Sequence, residues 1–493
     1  MSDFWAGVVI WFQNFNARFG VAALIILGLL IFALVMYTVI KTVVKGQSKE
    51  RKVHLRAKKA DDRIRTRAAE SLSQLIGFET TGDKPEELSK LIEYVKGRYP
   101  KLFAACETVS TQCGLLLCLK GGNKDKKPLL FCGHLDVVPA GDGWQHSAFG
   151  GQRDGGKIFG RGACDCKGPV VAMLEAVEDL LTEGERPQRD LWFAFGGDEE
   201  SGGEMGAGTF AEKLEELKIN FDMILDEGGY IAKAHSDSDD FPIALIGIGE
   251  KQSCYFTLKA SALGGHSGMP RGNTALGSLA EAVCRIEAAG KKKRFTPMAK
   301  RLVLNSMPAM SYGKRYVAAN LPFTRAFAVK AFKNDYEIAT LMGSTLVPTR
   351  VQGSVADNMA VSRAECVINA QLLPQHSPEK TLAFLKRLVA DLDIEITMSG
   401  ASEKVKLTST DNGTYKKLCS IVRERYPGIP CLEWLSSGCS NAAHYRNLSD
   451  CILYFSPIVM EKKTAFSAHG AEERISEESL GAAVEIYKKI MVI

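Results

Sequence analysis

At 493 residues, 46% of them hydrophobic and 24% charged, the chain is long enough for more than one core and ordinary in globular composition. A net charge of +5 leaves no electrostatic footprint for nucleic acid. Thirteen scattered cysteines, none in a C-x-x-C pair, exclude a thioredoxin-like redox motif and read as free thiols in a reducing compartment.

Residues 1–18 hold only Asp3 and Arg18 as charges, and the run 19–40 ("FGVAALIILGLLIFALVMYTVI") holds none. That length matches the roughly 20 residues a bilayer core requires. The run lacks an early basic region and a small-residue cleavage site, which argues for a retained anchor over a removable signal. A stalk over 41–69, dense in Lys and Arg, follows directly. This asymmetry predicts one span with the bulk of the chain in the cytoplasm, the basic stretch resting on anionic headgroups.

From about residue 70 strands alternate with helices. "GLLLCL" and "PLLFCG" read as strands, "PVVAMLEAVEDLLTEG" as a helix closed by Gly184, and "DLWFAFGGDEE" and "FDMILDEGG" as further strands. The rhythm predicts an α/β unit with a largely parallel sheet and flanking helices over 70–247 and 400–493. Between them, 248–399 changes character. "KQSCYFTLKAS" alternates like a half-exposed strand, and "NTALGSLAEAVCRIEAA", "AECVINAQLLP", "SPEKTLAFLKRLVADL" and "IEITMSG" continue helix, strand, helix, strand. An inserted α+β unit is expected there. No internal repeat or low-complexity tract is visible.

The strands of the first unit end in unusual chemistry. "LLFCGHLD" delivers His134 and Asp136 after Gly133, which would let the chain turn. "WFAFGGDEESGG" delivers Asp198, Glu199 and Glu200, and "MILDEGG" delivers Asp226 and Glu227. Asp165 sits in the glycine-bounded turn "GRGACDCKG" before a helix. That turn lacks the order of a phosphate-binding loop, and its acid would repel phosphate. Taken singly, each motif reads as a hydrogen-bonded histidine or a solvated acidic loop. At successive strand ends they converge, because open parallel sheets gather ligands outside their carboxyl edge. Acids crowded there need a cation, and histidine with carboxylates suits zinc or a similar divalent ion. Two ions sharing a bridging carboxylate fit this many acids and clamp an attacking water.

The motifs "GHLDVVPAGDGW", "GRGACDCKGPVVAMLEA", "GDEESGG", "LDEGG", "GGHSGMP" and "SAHGAEERIS" stand in the order of the aminoacylase/carboxypeptidase family of di-zinc metallopeptidases, which residues 70–493 resemble. The carboxypeptidase S and N-fatty-acyl-amino-acid hydrolase branch is the most similar. The resemblance implies two Zn2+ ions, with Co2+ or Mn2+ as substitutes. His134 would hold one ion, Asp165 would bridge, Glu200 and His469 would hold the second, and either Asp226 or Glu227 would complete the first. Asp136 would orient His134, and Glu199 would be the general base. The insert would be a ferredoxin-like lid and dimerisation domain, its His266 stabilising the oxyanion across a homodimer, with Asn358 as a substrate contact.

Two departures stand out. "INAQLLP" puts Gln371, and "SNAAHY" puts Asn441 and Ala443, where relatives use arginines to grip a substrate carboxylate. Neither replacement can form a bidentate charged fork. The expected activity is hydrolysis of a small peptide or an N-acyl amino acid, its carboxylate read differently or absent. The alternative is a non-catalytic, membrane-tethered binding protein on the same scaffold, which the retained Glu199 disfavours.

Overall fold

The computed structural model describes residues 2–46, 59–233, 242–269, 272–290, 292–353, 357–401, 404–436, 438, 440–460 and 468–493. Its largest element is a ten-stranded sheet. The strands Leu191–Gly196, Leu129–His134 and Met223–Asp226 lie side by side and parallel at its centre. All six residues of Leu129–His134 are buried, as expected of a strand covered on both faces. The pleat divides them. Leu129 and Phe131 join the core built with the helices Asp62–Ile76, Lys167–Thr182 and Glu477–Met491, whereas Leu130 and Cys132 face the helix Thr209–Glu216.

Two local expectations change. The sheet is mixed rather than largely parallel, because Gly114–Leu119 runs antiparallel both to Cys106–Thr111 and to Leu191–Gly196. The two residues between the first pair, 112 and 113, leave room only for a hairpin. Gly133 does not turn the chain; it lies within its strand. A Cβ there would meet the Val170 methyl at 2.8 Å, so the glycine lets the helix Lys167–Thr182 close onto the sheet.

Beyond the strand Pro242–Glu250 the chain leaves this sheet and enters a four-stranded antiparallel one. Its order is Thr345–Gln352, Arg363–Leu372, Gln252–Ser261, Ile394–Ser399. With the helices Ala275–Gly290 and Pro378–Leu388 this gives the β-α-β-β-α-β connectivity of a ferredoxin-like unit. Cys254, Phe256, Leu258 and Ala260 face a core with Leu279, Ala282 and Ile286, and the residues between them face outward. Four helices within this region went unanticipated: Pro297–Asn305, Tyr312–Ala319, Leu321–Phe332 and Tyr336–Leu341. They pack on Tyr230, Ile243, Leu245 and Trp434 of the large sheet as a third core.

The N-terminal segment and the apolar run form one continuous helix, Ser2–Gly46. Its window Ala22–Val44 has a mean hydropathy of 2.8 and is long and apolar enough to cross a membrane. Thr38 and Thr42, near its C-terminal end, are buried against the helix Tyr312–Ala319 and Asn320. Of the basic stalk, residues 47–58 lie outside the described residues.

Candidate metal centre

Three parallel strand ends supply one wall. His134 closes its strand, and Leu135 donates its amide to the Gly196 carbonyl at 2.7 Å, carrying the neighbouring strand into the short turn Glu199–Ser201. Glu227 follows Met223–Asp226. Asp165 comes from the loop before Lys167–Thr182. Buried Glu473 accepts the amides of Gly162, Cys164 and Asp165 at 3.2, 2.8 and 3.1 Å and pairs with Arg161 at 2.8 Å. His469, with φ 61°, reaches in from the same C-terminal loop as Glu473.

These residues meet. The Nε2 of His134 lies 3.0 Å from Asp165 Oδ1 and 3.2 Å from Glu227 Oε1. The Nε2 of His469 lies 3.2 Å from Asp165 Oδ2 and 3.1 Å from Glu200 Oε1. Asp165 therefore presents one oxygen to each imidazole. The Nδ1 of His134 donates to the Asp136 carbonyl at 2.9 Å, leaving Nε2 free to act as a ligand. The Asp136 carboxylate accepts the amides of Glu199 and Glu200 at 3.1 and 3.0 Å, tying that turn to the histidine strand.

Geometry separates the neighbours Asp226 and Glu227. Asp226 is buried and spends its oxygens on the amides of Glu227 and Ala442, at 2.9 and 2.7 Å. Glu227 alone faces His134. The Cys166 thiol also lies within ligand range of His134 and Glu227, unforeseen from sequence, but burial pushes it well above its usual pKa and disfavours the thiolate.

The electrostatics report crowding. Burial, reinforced by Glu227, Asp165 and Glu200 against the opposing pull of His134, pushes Glu199 up to about 9. Burial with the Asp165 charge, again opposed by His134, pushes Glu227 up to about 7. For His134 burial disfavours the charge, yet Glu227, Asp136 and Asp165 outweigh it and raise the ring. Hydrogen bonds donated to Asp165 and Glu200, against the opposing effect of burial, raise His469 to about 10. Burial would raise Asp165 too, but its two imidazoles pull it well below the carboxylate range. Such mutual repulsion among acids is what a cation relieves. The donor set, two imidazole nitrogens with carboxylate oxygens around a bridging acid, fits a pair of divalent ions such as zinc.

The centre opens into a cleft of about 670 Å³. Asp165, Glu199, Glu200, Glu227 and His469 line one side; Ser253, Tyr255, Asn369 and Gln371 of the four-stranded sheet line the other. Ser253, Tyr255 and Asn369 were missed in the sequence. They are the outward partners of buried Cys254, Phe256, Ile368 and Ala370, so strand alternation was the signal. Gln371 donates to Ser253 Oγ and Asn369 Oδ1, both at 3.3 Å, while its carbonyl oxygen is buried with no partner among the described residues. Asn441 does not join the cleft: it is buried and donates to the Gly133 carbonyl at 3.2 Å. His266 and Asn358 lie side by side, with Ser267 donating to the Asn358 carbonyl at 3.1 Å, on an exposed two-stranded ribbon. Neither is among the described residues that line the cleft.

A model of peptidase family M20/M25/M40 matches residues 130–492. The chain is 30% identical to a probable carboxypeptidase S-like 2 of Dictyostelium discoideum, over 96% of this chain and 94% of that protein. It is 26% identical to the N-fatty-acyl-amino acid synthase/hydrolase PM20D1 of Xenopus tropicalis, over 87% of this chain and 86% of that one. Among solved structures, the metallo-carboxypeptidase Sso-CP2 of Sulfolobus solfataricus shares the fold with a TM-score of 0.65 at 18% identity, over 86% of this chain and 98% of that chain.

Proposed function

The chain belongs to peptidase family M20/M25/M40, and from that premise we propose that it is a membrane-anchored hydrolase that cleaves a peptide or N-acyl amide bond with two divalent ions, zinc first among them. One observation carries the reading: Asp165 stands between His134 and His469 with an oxygen toward each ring. In this reading His134, Asp165 and Glu227 hold one ion, and Asp165, Glu200 and His469 hold the other. Asp226 keeps the strand end in place through its two amide bonds. A bound pair of divalent ions supplies acidified water and a polarised amide carbonyl. Glu199, lining the same cleft, takes the proton of the attacking water and passes it to the departing amine. Asp136 is a positioning residue that aligns His134 and the Glu199 turn.

Substrate recognition falls to the small sheet. Gln371 replaces the charged fork with neutral donors and acceptors, so the reading assigns a substrate whose carboxylate is not gripped by arginine. His266 and Asn358, outside their own cleft, would serve the cleft of a second copy in a homodimer, where an imidazole stabilises the oxyanion. The helix window Ala22–Val44 would span the bilayer, and the basic stretch after it would keep the enzyme in the cytoplasm. Protease protection of the large unit in sealed cells checks that orientation and would fail for an outward-facing enzyme.

The deciding experiment loads the full chain with zinc and screens dipeptides and N-acyl amino acids against Glu199→Gln. The variant should retain metal and lose turnover. Undiminished turnover would remove Glu199 from the mechanism. A strong preference for an N-acyl amino acid over its C-terminal amide would overturn the reading of Gln371.

A further inference from the structure

The helices Tyr312–Ala319 and Leu321–Phe332 follow one another with only Asn320 between them. One face of the second helix is core: Leu321, Ala328 and Phe332 are buried. The other face places Phe323, Ala326, Phe327 and Lys330 at successive helical spacings, all exposed, the two phenylalanines at 59% and 66%. Among the described residues the two aromatic rings stand together on one solvent-facing stripe.

Where this helix pair sits suggests what covers that stripe. Asn320 donates to Thr42 Oγ1 at 3.0 Å and to the Thr38 carbonyl at 3.3 Å, and Tyr316 OH lies 3.1 Å from Thr38 Oγ1. Thr38, Thr42 and Asn320 are all buried at this junction. It therefore fixes the helix pair at Asn320 to the last turns of the apolar window Ala22–Val44. At 1.5 Å per residue that window is about 34 Å long, against about 30 Å of bilayer hydrocarbon, so the bilayer boundary falls at the junction. Exposed Lys330 lies within the aromatic stripe, and exposed Lys333 borders it just past the helix end. Aromatic side chains flanked by cations are the composition of a helix lying at the headgroup boundary of an anionic membrane.

We propose that the helix Leu321–Phe332 is a second membrane contact, lying in the headgroup–acyl boundary with Phe323 and Phe327 inserted. The proposal rests on the reading of Ala22–Val44 as a span and goes beyond it. It fixes the orientation of the enzyme rather than tethering it. The same four-helix core packs Trp434 and Tyr336 beside the cleft, so a helix held at the bilayer holds the cleft at a set height above it.

The test is photo-crosslinking of the full chain in vesicles of phosphatidylcholine and phosphatidylserine. Phe327→p-benzoylphenylalanine exchanges one exposed aromatic for another and should leave folding and hydrolysis intact. The control is the same residue at Leu217, exposed on the large unit. Irradiation should yield a phospholipid adduct on the peptide containing position 327 and none at position 217. A chain that resists alkaline carbonate extraction yet gives no lipid adduct at 327, or crosslinks there to a second copy, overturns the contact of the helix Leu321–Phe332 and leaves the span intact. A chain stripped from the vesicles by carbonate overturns the span itself, and this contact with it.

Discussion

His134 and His469 flank one carboxylate and are held by opposite means. His134 ends a six-residue strand between two parallel neighbours, with its ring fully buried and its Nδ1 committed to a backbone carbonyl. His469 is half exposed and sits at φ 61° in a loop, a conformation that costs a non-glycine residue roughly 1–2 kcal/mol. What steadies it is the pair that follows. Glu473 fastens the loop to the backbone of Asp165, and Glu472 reaches the amides of Gln145 and His146 at 2.7 and 3.0 Å. One half of the centre is thus a product of the sheet. The other exists only when the C-terminal loop has docked.

Asp165→Asn attacks the residue both halves share and should have the largest effect. It removes the negative charge facing both imidazoles, so bound metal should fall below two ions per chain. Hydrolysis should drop roughly a thousandfold or more, the several kcal/mol a metal pair contributes to such a step. Elemental analysis beside steady-state kinetics checks it. Full metal content with normal turnover would show that Asp165 does not bridge. Next comes Asp136→Asn, aimed at the sheet-built half. It weakens two amide bonds and the 3.4 Å contact of its carboxylate with His134 Nδ1, leaving the backbone carbonyl bond to that ring in place and touching no proposed ligand atom. Activity should fall about 10- to 100-fold, the usual penalty for losing the partner that orients a metal ligand. Excess zinc should restore occupancy before it restores rate, because the Glu199 turn is displaced as well.

The two halves were also unequally legible. His134, Glu199, Glu200 and the Asp226–Glu227 pair stand out because an apolar run ending in acid or histidine has no reason to do so in a core. Which of Glu227 and Asp226 faces His134 was beyond the sequence. The choice depends on the Ala442 amide, which docks on Asp226 from a distant turn. The same turn buries Asn441, whose family position suggested a substrate contact. The helices from Pro297 to Leu341 were missed for another reason. They are six to twelve residues long and broken by Pro297, Pro308 and Pro322, so no apolar period runs long enough to register. The cleft residues Ser253, Tyr255 and Asn369 were readable as outward strand positions, but only the packing of the two sheets turns an outward face into a wall.

The smallest effect belongs to the docked half and depends on pH. The His146 amide holds the Glu472 carboxyl below its usual range; slight burial opposes this, and the His146 ring and Gln145 amide add to it. A carboxylate whose folded pKa is depressed contributes stability above its unfolded value of about 4.3 and loses it as pH falls through the folded value. The clamp is therefore intact at neutral pH and weakens on acidification below about pH 4. Amide hydrogen exchange over residues 468–474, corrected for the intrinsic rate, should rise in that window while exchange over Leu129–His134 stays protected. Glu472→Gln should show the faster loop exchange already at neutral pH and little further change with acid. Its cost to global stability should be about 1 kcal/mol, since the bonds lost lie near solvent. Parallel acid responses in the His134 strand and the His469 loop would mean that the two halves open as one unit, and the contrast between them would be wrong.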